Sequence, residues 1–225
     1  MTTKNQKIEQ CRQSLPRFGL DALVVRLSEN VTMLSGYWPL NGFSFVFVPA
    51  HGEALLLCPE CDREEATRNA AETVCCFASG RLTDGDAYEN AGAMLQKAAQ
   101  QCGLPPQAVI GVDTGADTVS LPLCSGEVGV PGDATLQMIR SALKTDRLRS
   151  AQMLITELRS EKDEFAIQKI KAANHLAHAA VNYFSKVVQE PGCREIDAAA
   201  RTESFVAQHA SDYGIRYAKA WAQVS

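Results

Sequence analysis

The sequence predicts an α/β fold: an N-terminal domain with a mixed sheet over residues 1–150, then a linker and the start of a second, incomplete α+β unit of two helices and a strand over 151–225. Three observations carry this reading. Short apolar runs bounded by Gly, Pro, Asn or Asp alternate with helical stretches in the first part. A helical apolar repeat governs the chain after Ser160. Charge is also divided unevenly, with 9 Lys/Arg against 16 Asp/Glu in residues 1–133 and 13 against 10 in residues 134–225.

Residues 3–17 are polar with a few apolar positions and form a short surface helix that ends near Pro16, with Gly19 as the break. Apolar runs at 22–25, 31–34, 43–48 and 54–58 then read as four strands. Ala50-His51-Gly52-Glu53 joins the third to the fourth as a hairpin. A polar helix follows at 60–70, and a fifth strand at 73–77. From 86 to 101 the spacing of Tyr88, Ala91, Leu95, Ala98 and Ala99 fits an amphipathic helix, stopped by Gly103-Leu104-Pro105-Pro106. A strand at 109–112 comes next. Pro131-Gly132-Asp133 then opens a helix over 134–144 that closes the domain, with Asp133 as its cap.

In the second unit, Ser160-Glu161-Lys162-Asp163 places a hydroxyl at a helix cap and carboxylates in the first turn, where they oppose the positive helix end. Ala166, Ile170, Ala173, Ala177, Val181, Phe184 and Val188 then recur at steps of three or four and define a buried stripe. Pro191-Gly192 ends this helix. Residues 194–209 form another, with Ile196, Ala199, Ala200 and Val206 inward. Residues 217–224 alternate like a strand with no partner after it, so the second unit is expected to be cut short.

Composition narrows the function. A net charge of -4 and a pI of about 5.6 supply no overall positive field for nucleic acid or an anionic membrane. The longest nearly unbroken apolar stretch, 43–50, is far shorter than the roughly 20 residues a membrane helix needs. The N-terminal residues lack the apolar segment of a secretory signal, and the expected location is cytoplasmic. The eight cysteines are then expected to be reduced. Cys58-Pro59-Glu60-Cys61 has the spacing of a redox pair or half a zinc site, with Cys75 and Cys76 as candidate further ligands. Adjacent residues of a strand point to opposite faces, which disfavours joint chelation by Cys75 and Cys76, so small buried hydrophobes are the preferred reading.

Three further constellations are candidates for chemistry. Asp113-Thr114-Gly115-Ala116 after an apolar strand resembles the aspartic protease motif of the retroviral type, whose paired carboxylates share a proton. The motif lies between helices here, and a strand-end Asp in a turn is the preferred reading. His175 and His178 could share a helix face as metal ligands do, but no third ligand is visible, and solvated or packing histidines are preferred. Tyr37-Trp38-Pro39-Leu40-Asn41-Gly42 places two aromatics in a loop. Tyr37 and Trp38 either pack over the sheet edge or form a rim for a ligand or a partner subunit.

Four segments, in order, resemble the metallopeptidase family of Xaa-Pro aminopeptidases, prolidase and creatinase. Gly19-Leu20-Asp21-Ala22-Leu23-Val24-Val25 and Asn30-Val31-Thr32-Met33-Leu34-Ser35-Gly36-Tyr37 look like the opening of its N-terminal domain. Leu158-Arg159-Ser160-Glu161-Lys162-Asp163-Glu164-Phe165, followed by Ile170-Lys171-Ala172-Ala173, looks like the junction and first helix of its catalytic domain. Pro191-Gly192-Cys193-Arg194-Glu195-Ile196 resembles the turn into the next helix.

The resemblance implies a creatinase-like N-terminal domain followed by the beginning of a pita-bread catalytic domain. In the family that second domain binds two divalent ions (Mn, Co or Zn) through two Asp, one His and two Glu. The ions generate a hydroxide and polarise the scissile bond of an Xaa-Pro peptide, or the C–N bond of creatine. None of the five ligands can be assigned in this sequence, so no metal or catalytic residue is named and the chain is expected to be catalytically silent. The resemblance also implies a homodimer through the N-terminal domain, with Tyr37 and Trp38 in a loop suited to shape substrate access, and peptide substrate only in a full-length protein. The alternatives are a non-catalytic dimerisation or ligand-binding module and a fragment of a creatinase-type amidinohydrolase.

Overall fold

Alternation along each strand divides the apolar residues of the first unit between two faces of one sheet. In the computed structural model, which describes residues 6–39, 43–70, 73–114, 132–216 and 218–220, that sheet has six strands in the order β4-β3-β2-β1-β5-β6. They are β1 Ala22–Val25, β2 Phe45–Pro49, β3 Leu55–Pro59, β4 Thr73–Phe77, β5 Ile110–Val112 and β6 Leu148–Ser150. The β1–β2 and β2–β3 pairs are antiparallel, the second being the expected hairpin. The β1–β5, β3–β4 and β5–β6 pairs are parallel, so the sheet is mixed.

Leu23, Val25, Val46, Val48, Leu56 and Cys58 face one side. They are covered by α1 (Gln6–Ser14), α2 (Ser28–Ser35) and α6 (Gln152–Ser160), whose Ile8, Val31, Leu34, Leu154, Ile155 and Leu158 join the same core. Ala22, Val24, Phe45, Phe47, Leu55, Leu57, Ile110 and Val112 face the other side, under α4 (Ala87–Gln101) and α5 (Asp133–Leu143). A short helix, α3 (Arg63–Asn69), bridges β3 and β4 behind a 3-10 turn at Glu60–Asp62. Asp86 caps α4 by accepting from the amides of Tyr88 and Glu89, which fixes where that helix begins.

Two departures from the sequence reading concern this unit. Residues 31–34 belong to helix α2, not to a strand. The sixth strand is β6, which follows α5 and pairs with β5 in register Ile110↔Leu148. Gly111 at the middle of β5 serves this packing: a Cβ there would meet the Leu20 side chain at 2.7 Å and Ala151 Cβ at 3.1 Å. Ala151 leads directly into α6, so the missing side chain is what lets α6 approach the sheet.

The chain divides into two units at Met1–Glu161 and Lys162–Ser225, and α6, which the sequence reading left in the linker after residue 150, buries its apolar side in the first unit. Lys7 closes that helix. Its buried Nζ donates to the carbonyl oxygens of Leu158 at 2.9 Å and Glu161 at 2.8 Å, placing a cation where the helix exposes its acceptors.

The second unit holds α7 (Glu164–Val187) and α8 (Glu195–His209). The cap of α7 is Asp163, whose carboxylate accepts from the amide of Ala166 at 2.7 Å; Ser160 instead ends α6. The buried line of α7 is Leu176, Ala180 and Val187, and Leu176 and Ala180 cluster with Val206 and Ala210. The stripe expected inside is largely outside: Ile170, Ala173, Ala177, Val181 and Val188 are exposed, and so are Ile196 and Ala200 of α8. α7 is apolar on two adjacent lines, and periodicity alone does not say which one α8 takes. The strand expected over 217–224 falls mostly outside the described residues; 218–220 have no regular secondary structure.

Candidate functional site

The aromatic loop begins where α2 stops. Gly36 adopts a left-handed backbone (φ 78°) and its amide bonds the carbonyl of Thr32, a helix ending that favours glycine. The chain then turns Tyr37 inward and Trp38 outward. Tyr37 is fully buried, and its hydroxyl donates to Asp62 Oδ2 at 2.7 Å, tying the loop to the 3-10 turn after β3. It is a core residue and presents no surface to a substrate or a partner. Trp38 is 46% exposed and is the aromatic of this pair that faces outward. Leu40, Asn41 and Gly42, the rest of the loop, lie outside the described residues.

Asp113 sits at the end of β5, 2% exposed. Its Oδ2 accepts from the amides of Arg26 at 2.9 Å and Leu27 at 2.7 Å and from Asn30 Nδ2 at 3.0 Å. The carboxylate therefore holds the turn from β1 into α2, close to the positive end of that helix. Burial pushes its pKa above the usual carboxylate range, opposed by those hydrogen bonds. These three bonds all serve that turn, so the Asp-Thr-Gly motif supplies a buried brace. Gly115 and Ala116 lie outside the described residues.

The cysteines do not sort as their sequence spacing suggests. No disulfide joins Cys58 to Cys61. Cys58 Sγ lies 3.6 Å from Cys76 Sγ across the β3–β4 register, and Cys61 Sγ contacts Asp62 Oδ1 at 3.7 Å. Cys75 packs toward the α4 side and Cys76 toward the α1 side, as alternation requires. None of the seven described cysteines is joined in a disulfide. Burial raises the pKa of Cys11 to about 12 and pushes the thiols of Cys58, Cys61, Cys75, Cys76 and Cys102 upward as well. His175 and His178 are both exposed, and His178 Nε2 meets Asn182 Nδ2 at 3.0 Å. Among the described residues no group of three or more His, Cys, Asp or Glu side chains could hold a metal ion.

The partners of Tyr37 and Cys58 carry no local signal. Asp62 lies 25 residues from Tyr37 and Cys76 18 from Cys58, and only the parallel pairing of β3 with β4 makes the second contact visible.

The family model of the Creatinase/Prolidase N-terminal domain matches residues 7–160. The chain belongs to this family. Its match ends one residue before the boundary between the two structural units. A search of curated proteins finds no match. Among solved structures, the prolidase from Pyrococcus horikoshii OT3 superposes with a TM-score of 0.65 at 19% identity, over 91% of this chain and 49% of that one. The Xaa-Pro dipeptidase from Bacillus anthracis gives 0.64 at 17% identity, over 92% and 49%. The prolidase from Pyrococcus furiosus gives 0.64 at 19% identity, over 89% and 52%. These likenesses establish the fold, and the chain spans about half the length of the proteins it resembles.

Proposed function

We propose that this chain is the N-terminal portion of a metal-dependent hydrolase of the aminopeptidase P or prolidase type, and that its 225 residues alone do not catalyse. The family match over residues 7–160 carries this reading, supported by likeness to structures of a prolidase and an Xaa-Pro dipeptidase of which the chain covers about half. The described residues do not fit the two divalent ions implied by that resemblance, since they bring no three suitable donors together. In this reading the chain contributes scaffold: it dimerises through the first unit, in the cytoplasm, and Trp38 lines the access to substrate in the longer protein. No helix among the described residues is long and apolar enough to cross a membrane.

Titrating the chain with manganese and with zinc by calorimetry, followed by hydrolysis assays on Xaa-Pro peptides, tests the central claim. The expected outcome is no pair of tight sites and no turnover above the metal-only control. Two bound ions with turnover would overturn it.

A further inference from the structure

We propose that Cys58 and Cys76 are a thiol pair that closes reversibly to a disulfide between β3 and β4 when the protein meets hydrogen peroxide. The two residues are direct register partners on adjacent parallel strands, with their sulfurs already 3.6 Å apart. Adjacent strands lie about 4.7–4.9 Å apart, inside the Cα separation of about 4.4–6.8 Å that a disulfide spans. Both sulfurs are on the α1 side of the sheet, whereas Cys75 packs on the opposite side. β4 is the last strand of the sheet, paired on one side by β3, so it can give the distance by which the sulfurs must close.

The surroundings assign the two roles. Cys58 is fully buried, while Cys76 is partly exposed. Burial raises both thiols. At Cys76 the contact with Cys58 opposes that rise, whereas at Cys58 the contact with Cys76 adds to it. Cys76 is thus the thiolate that attacks, and Cys58 the thiol that resolves. The Cys76 thiolate attacks one peroxide oxygen, the O–O bond breaks, and the product is a sulfenic acid with hydroxide leaving. The sulfur of Cys58 then attacks the sulfenic sulfur. The S–O bond breaks, the Cys58 proton leaves with that oxygen as water, and the S–S bond forms. In sum, two thiols lose two electrons and two protons, and one peroxide becomes two waters. A thiol reductant reverses the result by exchange.

Because both thiols are held mostly protonated at neutral pH, oxidation is slow and follows the thiolate fraction, rising about tenfold from pH 7 to pH 8. The test treats the 225-residue chain with hydrogen peroxide, blocks remaining thiols, and maps peptides by mass spectrometry without reduction. Cleavage after Glu60 separates Cys58 from Cys61. The expected product is a crosslinked pair carrying Cys58 and Cys76, removed by dithiothreitol, formed equally in Cys75→Ser and absent in Cys76→Ala. In Cys58→Ala, with its fold checked by circular dichroism, Cys76 should instead advance to the sulfinic acid. The wild-type map stands even where a variant fails to fold. A crosslink through Cys61 or Cys75, sulfinic acid at Cys76 of the wild type without any crosslink, or Cys58 and Cys76 both intact once Cys61 is fully oxidised would each overturn the proposal.

Discussion

Asp113 shows at the scale of one residue how a familiar motif acquires a structural job. Its Oδ2 bonds Arg26, Leu27 and Asn30, and burial holds its pKa above the usual range. A carboxyl whose folded pKa is raised contributes stability that is fully present below its unfolded value, near 3.9, and is lost as pH climbs through the folded value. In Asp113→Asn, which accepts hydrogen bonds but does not ionise, that loss should vanish. Urea midpoints measured from about pH 3 to pH 7 should show the stability of the variant rising relative to wild type across that window. Parallel profiles would show that Asp113 is not the group responsible. Tyr37 makes the same point from the other direction. Its place beside an exposed tryptophan suggests surface, yet its hydroxyl finds Asp62 and its ring is fully buried.

At the scale of the element, helix α2 illustrates tertiary override. Val31-Thr32-Met33-Leu34 has the composition of a strand, but Asp113 braces the turn before it and Gly36 ends the helix after it. The brace comes from a residue 83 to 87 positions away, which no local pattern contains. Helix α6 depends on a similar distant contact. Lys7→Met removes two charge-assisted hydrogen bonds to its last carbonyls, and should lower the unfolding free energy by about 1–3 kcal/mol, read as a shift of the urea midpoint. A change below that range would mean that water replaces the ammonium. Both α7 and α8 lie where periodicity placed them, and the break between them, Pro191-Gly192, is local, although the cap of α7 is Asp163 and not Ser160. Which side of α7 is covered is not a local property, and there the sequence reading chose the wrong line.

At the scale of the whole molecule, the family assignment and the mixed sheet agree, and the proposed dimer supplies a further test. Trp38, 46% exposed after a fully buried tyrosine, is the residue of the loop on which that dimer should depend. Sedimentation equilibrium of Trp38→Ala should show the dimer dissociation constant raised about tenfold or more, the usual scale for an aromatic anchor. An unchanged constant would remove Trp38 from the interface, and a monomeric wild type would remove the dimer.

The α/β class, five of the six described strands, the hairpin and the long helices were legible in the sequence because they rest on periodicity and turn residues within a few positions of one another, and the family because four ordered segments resemble it. Long-range packing settled that residues 31–34 are helical, that β6 and α6 complete the first unit, that Tyr37 is buried while Trp38 is not, and that Cys58 meets Cys76. The physical reason is range. Each of these turns on a partner distant in the chain, and a chain encodes such a meeting only through the fold that brings the two residues together.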